Sequence, residues 1–177
     1  MEEMEFVENE FSYWENEEGN NDLIIFASET PDYNRYQFVN IVLNIALQFG
    51  VERIYGVGGL YAGILHTLEP RVAVVVNRPY LREEMMGYGV EVGMNYHGPT
   101  SMNGLLIMAA QRQGIEAIGL WGEVPNYVAE MPNPKVCHKL LKVLVQMLSV
   151  KIDLSEMEDQ AEYTEQQIDT LVSYVRE

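Results

Sequence analysis

Two runs in the chain, RVAVVV at Arg71 to Val76 and IEAIGLW at Ile115 to Trp121, are too short for helices and too continuously apolar for strands with one wet face. Runs of this kind belong to strands covered on both sides. Around them the apolar period changes to three and four. In YQFVNIVLNIALQFG the positions Phe38, Ile41, Val42, Ile45, Ala46 and Phe49 follow that period, and Gly50 stands where a helix C-cap belongs. MNGLLIMAAQRQG has a nearly all-apolar middle and stops at Gly114, which predicts a helix laid deep against a sheet. Strands alternating with helices at these lengths predict an α/β layered domain with a largely parallel sheet.

The remaining elements fill in around this frame. Asp22 to Ala27 (DLIIFA) has the continuous apolar character of a buried strand, and Thr30 with Pro31 offers an N-cap and a first-turn proline for the helix after it. Val51 to Val57 reads as the next strand, and Val90, Val92, Met94 and Tyr96 alternate as a further one. Asn133 and Pro134 start a helix over 135–150 with Val136, Leu140, Val143, Leu144 and Met147 on its buried side. Lys135, Lys139 and Lys142 fall on another face of that helix, a solvated stripe or a meeting place for an acidic end of a neighbouring chain.

Ser155 with Glu158 matches a capping box, and Met157, Ala161, Thr164, Ile168, Leu171 and Val175 step by three or four through the helix that follows. That narrow stripe calls for cover from its own domain or from another subunit. The expected organisation is an acidic arm over 1–21, an α/β domain over 22–150, and an acidic C-terminal helix over 151–177.

Charge sets the partners. Lys plus Arg number 11 against 27 Asp plus Glu, a formal net charge of −16 that would repel a phosphate backbone, so nucleic acid is not an expected partner. No apolar run reaches the roughly 18 residues of a membrane span and no secretory signal opens the chain. A soluble, cytoplasmic protein with no membrane partner is expected. Cys137 is the only cysteine, which excludes an internal disulfide and reads as a packed small residue.

In an open α/β sheet, sites gather beyond the carboxyl ends of the strands. Four segments fall there by this reading: Ser28 to Tyr33, Gly56 to Gly63, Asn77 to Tyr80, and the stretch after Trp121. The glycine cluster GVGGLYAG lacks both the helix-opening G-x-G-x-x-G and the G-K-[ST] of a phosphate loop, which favours a turn or close packing over a nucleotide site. His66, His97 and His138 show no metal-ligand spacing, so no metal is expected. G-x-S-x-G is absent, and Ser101 near His97 reads as a helix cap before it reads as a nucleophile. No catalytic residue and no cofactor is assigned.

The best small-molecule edge combines Gly58, Gly59, His97, Gly98, Thr100, Ser101, Asn126 and Tyr127, where helix N–H groups, glycines and a polar aromatic can hold an anion. The candidate interaction surface is Trp121, Pro125, Tyr127 and Pro132 with the helical positions Ile168, Leu171 and Val175. WGEVPNYVAEMPNPK, residues 121–135, holds three prolines and reads as a stiff bridge from a strand ending at Trp121 to the helix started by Asn133 and Pro134. Such a preformed aromatic loop loses little ordering entropy on binding.

Tyr96, Gly98, Pro99, Thr100 and Gly104, then Leu120, Trp121, Val124, Pro125 and Tyr127, and finally Pro132 to Lys135 resemble the proteasome assembly chaperone 2 family in its stand-alone prokaryotic form. Gly58 and Gly59 agree with it, and the match runs over roughly 22–177. The resemblance implies a three-layer α/β/α fold like that of phosphorylases and peptidases, with a largely parallel or mixed sheet, and assembly as a homo-oligomer with proteasome subunits as partners. Members have also been given an ATP-grasp label, for which this sequence offers neither a phosphate loop nor a magnesium carboxylate set. Several relatives carry a His where Asn126 stands, and a fuller proline and arginine motif than His66, Thr67, Pro70 and Arg71. Relatives that dock proteasome rings end in a hydrophobic residue, Tyr and any residue; YVRE places Tyr174 elsewhere, so docking through such a tail is not expected.

Two functions follow. One is a non-catalytic, self-assembling protein of the chaperone type. The alternative is a small-molecule or nucleotide-binding protein, or an enzyme, using the glycine and GPTS edge.

Overall fold

A computed structural model describes residues 9–17, 21–93 and 100–175. In chain order its main elements are β1 (Glu10–Trp14), β2 (Leu23–Ala27), α1 (Arg35–Gln48), β3 (Arg53–Ala62), β4 (Val72–Val76), α2 (Leu81–Met86), β5 (Glu91–Val92), α3 (Met102–Arg112), β6 (Glu116–Pro125), α4 (Pro134–Leu148) and α5 (Ser155–Val175). A short 3-10 turn over Asn126–Val128 follows β6.

The strand β6 organises the core because both of its faces are covered. Ile118, Leu120 and Val124 point to one side, where they meet Val72, Val74, Leu81, Met85, Val136, Leu140 and Val143. Ala117 and Trp121 point to the other, against Val39, Leu43, Ala46, Ile107 and Ala110. Helices α2 and α4 therefore cover one face of the sheet and α1 and α3 the other, a three-layer α/β/α arrangement, with α5 packed outside α4. The expected fold class is what the structure shows.

The sheet is mixed, in the order β3-β6-β4-β5. Strands β3 and β6 are parallel and in register from Arg53 opposite Glu116 to Ala62 opposite Pro125. Strand β4 runs antiparallel to β6 and parallel to the short β5. The chain from Ala62 to Val72 contains no helix, and a parallel return needs a crossover of a dozen residues or more, so β4 comes back in the opposite sense. Met94 and Tyr96 of the expected further strand lie outside the described residues.

Several local readings change. Asp22 to Ala27 is not a strand of the core: β2 pairs antiparallel with β1 in a separate two-stranded sheet that is largely exposed. Strand β3 does not stop before the glycines but runs through them to Ala62. Helix α1 begins at Arg35 with Asn34 as its N-cap at φ 56°, rather than at Thr30 and Pro31. Its C-terminus closes as read, with Gly50 at φ 66° and the Val51 N–H returned to the Ala46 carbonyl. The Asp153 carboxylate, rather than Ser155, accepts at the start of α5, from the Ser155 N–H at 3.0 Å.

Candidate functional site

The carboxyl ends of β3 and β6 define one edge of the sheet. Because β4 is antiparallel to β6, with Val76 opposite Ile118, Asn77 to Tyr80 lies at the other edge. That removes one of the four segments expected to share a site. At its own edge Asn77 acts as glue: its Nδ2 donates to the Ile115 carbonyl at 2.9 Å and its Oδ1 accepts from the Ala117 N–H at 2.9 Å.

The glycines of β3 are occupied by protein. A Cβ at Gly56 would lie 3.2 Å from the Asn103 Cβ, and one at Gly58 would meet Asn103 Nδ2 at 3.5 Å and the Trp121 ring at 3.6 Å. Asn103, in the first turn of α3, donates to the Val57 carbonyl at 2.8 Å. A Cβ at Gly59 would come within 3.1 Å of Val124. The missing side chains let α3 and the neighbouring strand approach, which is the close-packing reading of the cluster. Ser101 is a helix cap, its Oγ accepting from the Gly104 N–H at 3.1 Å, and Thr100 packs over Gly104. His97 and Gly98 lie outside the described residues.

Tyr127 and Asn126 belong to the 3-10 turn after β6, and Tyr127 enters a different set of bonds. Its hydroxyl accepts from the His66 N–H at 2.6 Å and lies 2.6 Å from His66 Nδ1, while His66 Nε2 is 2.8 Å from an oxygen of Asp169 on α5. A carboxylate only accepts, so in the neutral ring Nε2 carries the proton and Nδ1 takes the hydrogen of the phenol. His66 is buried, and its carbonyl accepts from Lys135 Nζ at 2.8 Å; Lys135 also reaches Glu165 of α5 at 3.0 Å.

A shallow pocket lined by His66, Asn133, Lys135, Thr164, Glu165 and Ile168 sits over this network. The described contacts thus divide the proposed ligand edge into a Gly58, Asn103 and Trp121 group on the α3 side and a Tyr127 and His66 group on the α4 side. The separation of His66 from Tyr127 and from Asp169 along the chain, 61 and 103 positions, explains why no spacing rule exposes the relay.

Of the candidate interaction surface, Trp121, Pro125 and Ile168 are buried within the chain's own fold and offer no free face. The reason for Trp121 is that β6 continues past it to Pro125, so Trp121 is interior to the strand and not its end. Tyr127, Pro132 and Leu171 are exposed, and the side chain of Val175 lies outside what is described. Cys137 is exposed, contrary to its reading as a packed residue, because it stands one position past the buried Val136 and rotates off the core face of α4.

A second polar cluster closes the opposite edge of the sheet. Arg53 makes paired bonds to Glu84 of α2 at 2.6 and 3.1 Å and another to Glu116 of β6 at 2.6 Å, and the Tyr80 hydroxyl donates to Glu116. The Tyr80 bond, with Arg53 behind it, holds the Glu116 carboxyl below the usual glutamate value, and burial pushes the Tyr55 phenol up. Among the described residues no group of three or more His, Cys, Asp or Glu is placed to hold a metal ion, and no helix is long and apolar enough to cross a membrane.

Comparison with known proteins places this arrangement. A family model described as the PAC2 family matches residues 2–172. PbaB of Pyrococcus furiosus, an archaeal proteasome activator, is similar in structure with a TM-score of 0.80 and 26% identity, over 94% of this chain and 72% of that one. A proteasome-assembly chaperone homologue of Mycobacterium tuberculosis is similar with a TM-score of 0.82 and 25% identity, over 96% of this chain and 70% of that one. An uncharacterized protein of Methanocaldococcus jannaschii is 24% identical over 143 residues, 81% of this chain and 54% of that protein. The chain spans about half the length of this curated relative. The comparisons lend no support to an ATP-grasp label.

Proposed function

The chain belongs to the PAC2 family, and from that premise we propose that it is a non-catalytic, self-assembling protein that binds proteasome subunits in the manner of an assembly chaperone. The observation that carries the reading is similarity along nearly the whole chain to structures described as a proteasome activator and a proteasome-assembly chaperone homologue. The polar groups that an enzyme at this edge would use support it, because they are engaged in holding the fold. Ser101 caps α3, Asn103 fills the space over Gly56 and Gly58, and Tyr127 is bonded to His66. The 121–135 segment supports it too: it runs from the end of β6 at Pro125 through the 3-10 turn to Asn133, the N-cap of α4, as a stiff platform with Tyr127 and Pro132 outward.

The test is direct binding of the full chain to purified proteasome α subunits, read by co-elution and by interferometry. Micromolar or tighter binding is expected, weakened by Tyr127→Ala with Pro132→Ala. Absence of binding at tens of micromolar subunit, together with a thermal shift induced by a nucleotide or phosphorylated metabolite, would replace this reading with the ligand-binding one.

A further inference from the structure

Residues Tyr33 to Val51 carry a single charge, Arg35, in a chain of which 21% is charged and whose net charge is −16. This neutral stretch is α1 and its C-terminal turn. Val39, Val42, Leu43 and Ala46 supply the face that the core buries. Phe38, Ile41, Ile45 and Phe49 fall on an adjacent face, at intervals of three and four, and are in excess of what the core needs. Ile41 remains 53% exposed and Phe49 70% exposed. The polar positions beyond them, Gln37, Asn40, Asn44 and Gln48, are all uncharged amides.

The apolar face continues onto the β1–β2 hairpin. Phe38 meets Phe26 at 6.0 Å between ring centres, and Phe26 stacks on Phe11 at 4.2 Å. Beside them the hairpin still exposes Ile24, Ile25, Tyr13 and Trp14. A two-stranded hairpin is marginal by itself, and an exposed apolar surface of this continuity marks a contact site.

We propose that the α1 face centred on Ile41 and Phe49, continued by the β1–β2 hairpin, is the surface on which a second copy of this chain docks. The occupant follows from charge. Two copies at −16 repel wherever their acidic surfaces approach, so self-association is favoured where the surface is neutral, and α1 is such a surface. A basic partner recruited by the acidic character of the molecule would seat on its carboxylates, as on α5, and would gain nothing from an uncharged aliphatic helix. A neutral apolar face is complementary to itself, and a two-fold contact places the same patch on both sides. The inference rests on the self-assembly part of the function proposed above and assigns it a surface.

The experiment is sedimentation velocity and light scattering on the full chain from about 1 to 100 µM, with Ile41→Glu and Phe49→Glu singly and together. Both side chains are exposed, so the variants should keep the wild-type melting temperature to within about 3 °C. The wild type is expected to associate. The double variant should need at least a thirtyfold higher concentration to do so, and Leu171→Glu on α5 should leave assembly unchanged. Hydrogen exchange of the wild type gives a readout independent of any variant: protection over 23–27 and 35–48 should rise with protein concentration.

A wild type that stays monomeric throughout, or an oligomer indifferent to both substitutions with unchanged exchange in α1, would overturn the proposal. So would a monomer whose binding to proteasome α subunits is lost in Ile41→Glu, since the face would then belong to another protein. Loss of assembly with retained α-subunit binding supports the proposal, whereas loss of α-subunit binding in the wild type removes the function reading without touching this one.

Discussion

Gly119 shows how one residue type fixes the interior of this sheet. A Cβ placed there would lie 2.1 Å from two atoms of the Trp121 ring and 2.6 Å from the end of Ile107, so the indole occupies the space a side chain would fill. Gly119→Ala forces the ring or α3 outward, and overpacking of this kind costs about 1–3 kcal/mol. Gly63 has nothing within 4 Å of the same position, so Gly63→Ala should shift stability by no more than about 0.5 kcal/mol. Urea unfolding of the two variants checks the contrast, and equal effects would mean that Trp121 does not sit on Gly119.

Glu116 offers a second test at this scale. Its carboxyl is held below the ordinary value of 4.5, first by the Tyr80 hydroxyl and then by Arg53, so the folded state binds its proton less readily than the unfolded chain. The stabilisation is present in full above the ordinary glutamate range and is lost as pH falls through the lowered folded value. Tyr80→Phe should therefore destabilise the fold at pH 7, modestly because Tyr80 is itself exposed, and the effect should shrink as pH drops below 4.5. Unfolding free energies at pH 7 and pH 4 measure this.

At the scale of elements, α5 is held by an apolar seam and two polar tethers. Ala161 and Ile168 are buried, His66 reaches Asp169, and Lys135 reaches Glu165. His66→Ala removes the first tether and strands the Tyr127 hydroxyl without its ring partner. Amide exchange in the second half of α5 should speed up by roughly tenfold while the β6 amides stay at the global rate. If both change together, α5 is not a separately opening unit.

The legibility of these elements from the sequence follows from how much of each is set locally. β4, β6, α3 and α4 were readable because their cover is on the chain's own apolar period and their caps, Ser101 and Asn133, bond within three residues. The sense of β4 depends on where β6 later inserts, and β3 runs through its glycines because α3 and β6 arrive to fill the missing side chains. Neither fact is local. β2 misled because LIIFA has the composition of a core strand although, among the described residues, its strand partner is β1 alone. The His66, Tyr127 and Asp169 relay lacked any sequence signal, and the ligand edge read as one site resolves into two groups on opposite faces of the sheet.

For the whole molecule, the proposed self-contact sets an unusual balance between two long-range terms. Each copy carries −16, so bringing two together costs repulsion over distances comparable to the screening length, about 10 Å at 0.1 M salt and about 3 Å at 1 M. The attraction comes from apolar surface on α1 and the hairpin, which salt does not screen and which excluded salts strengthen. Association should therefore tighten as sodium chloride rises from 20 to 500 mM, with the dissociation constant falling about tenfold or more, and sedimentation across that series reads it. A contact built instead from the ion pairs available to this chain, the Lys139 and Lys142 face of α4 against an acidic end, has the opposite sign, since screening removes its attraction. The slope of the dissociation constant against salt thus separates a neutral α1 interface from an electrostatic α4 interface without mutating either. A rising constant would place the copies on α4 and leave the exposed Ile41 and Phe49 without a role in assembly.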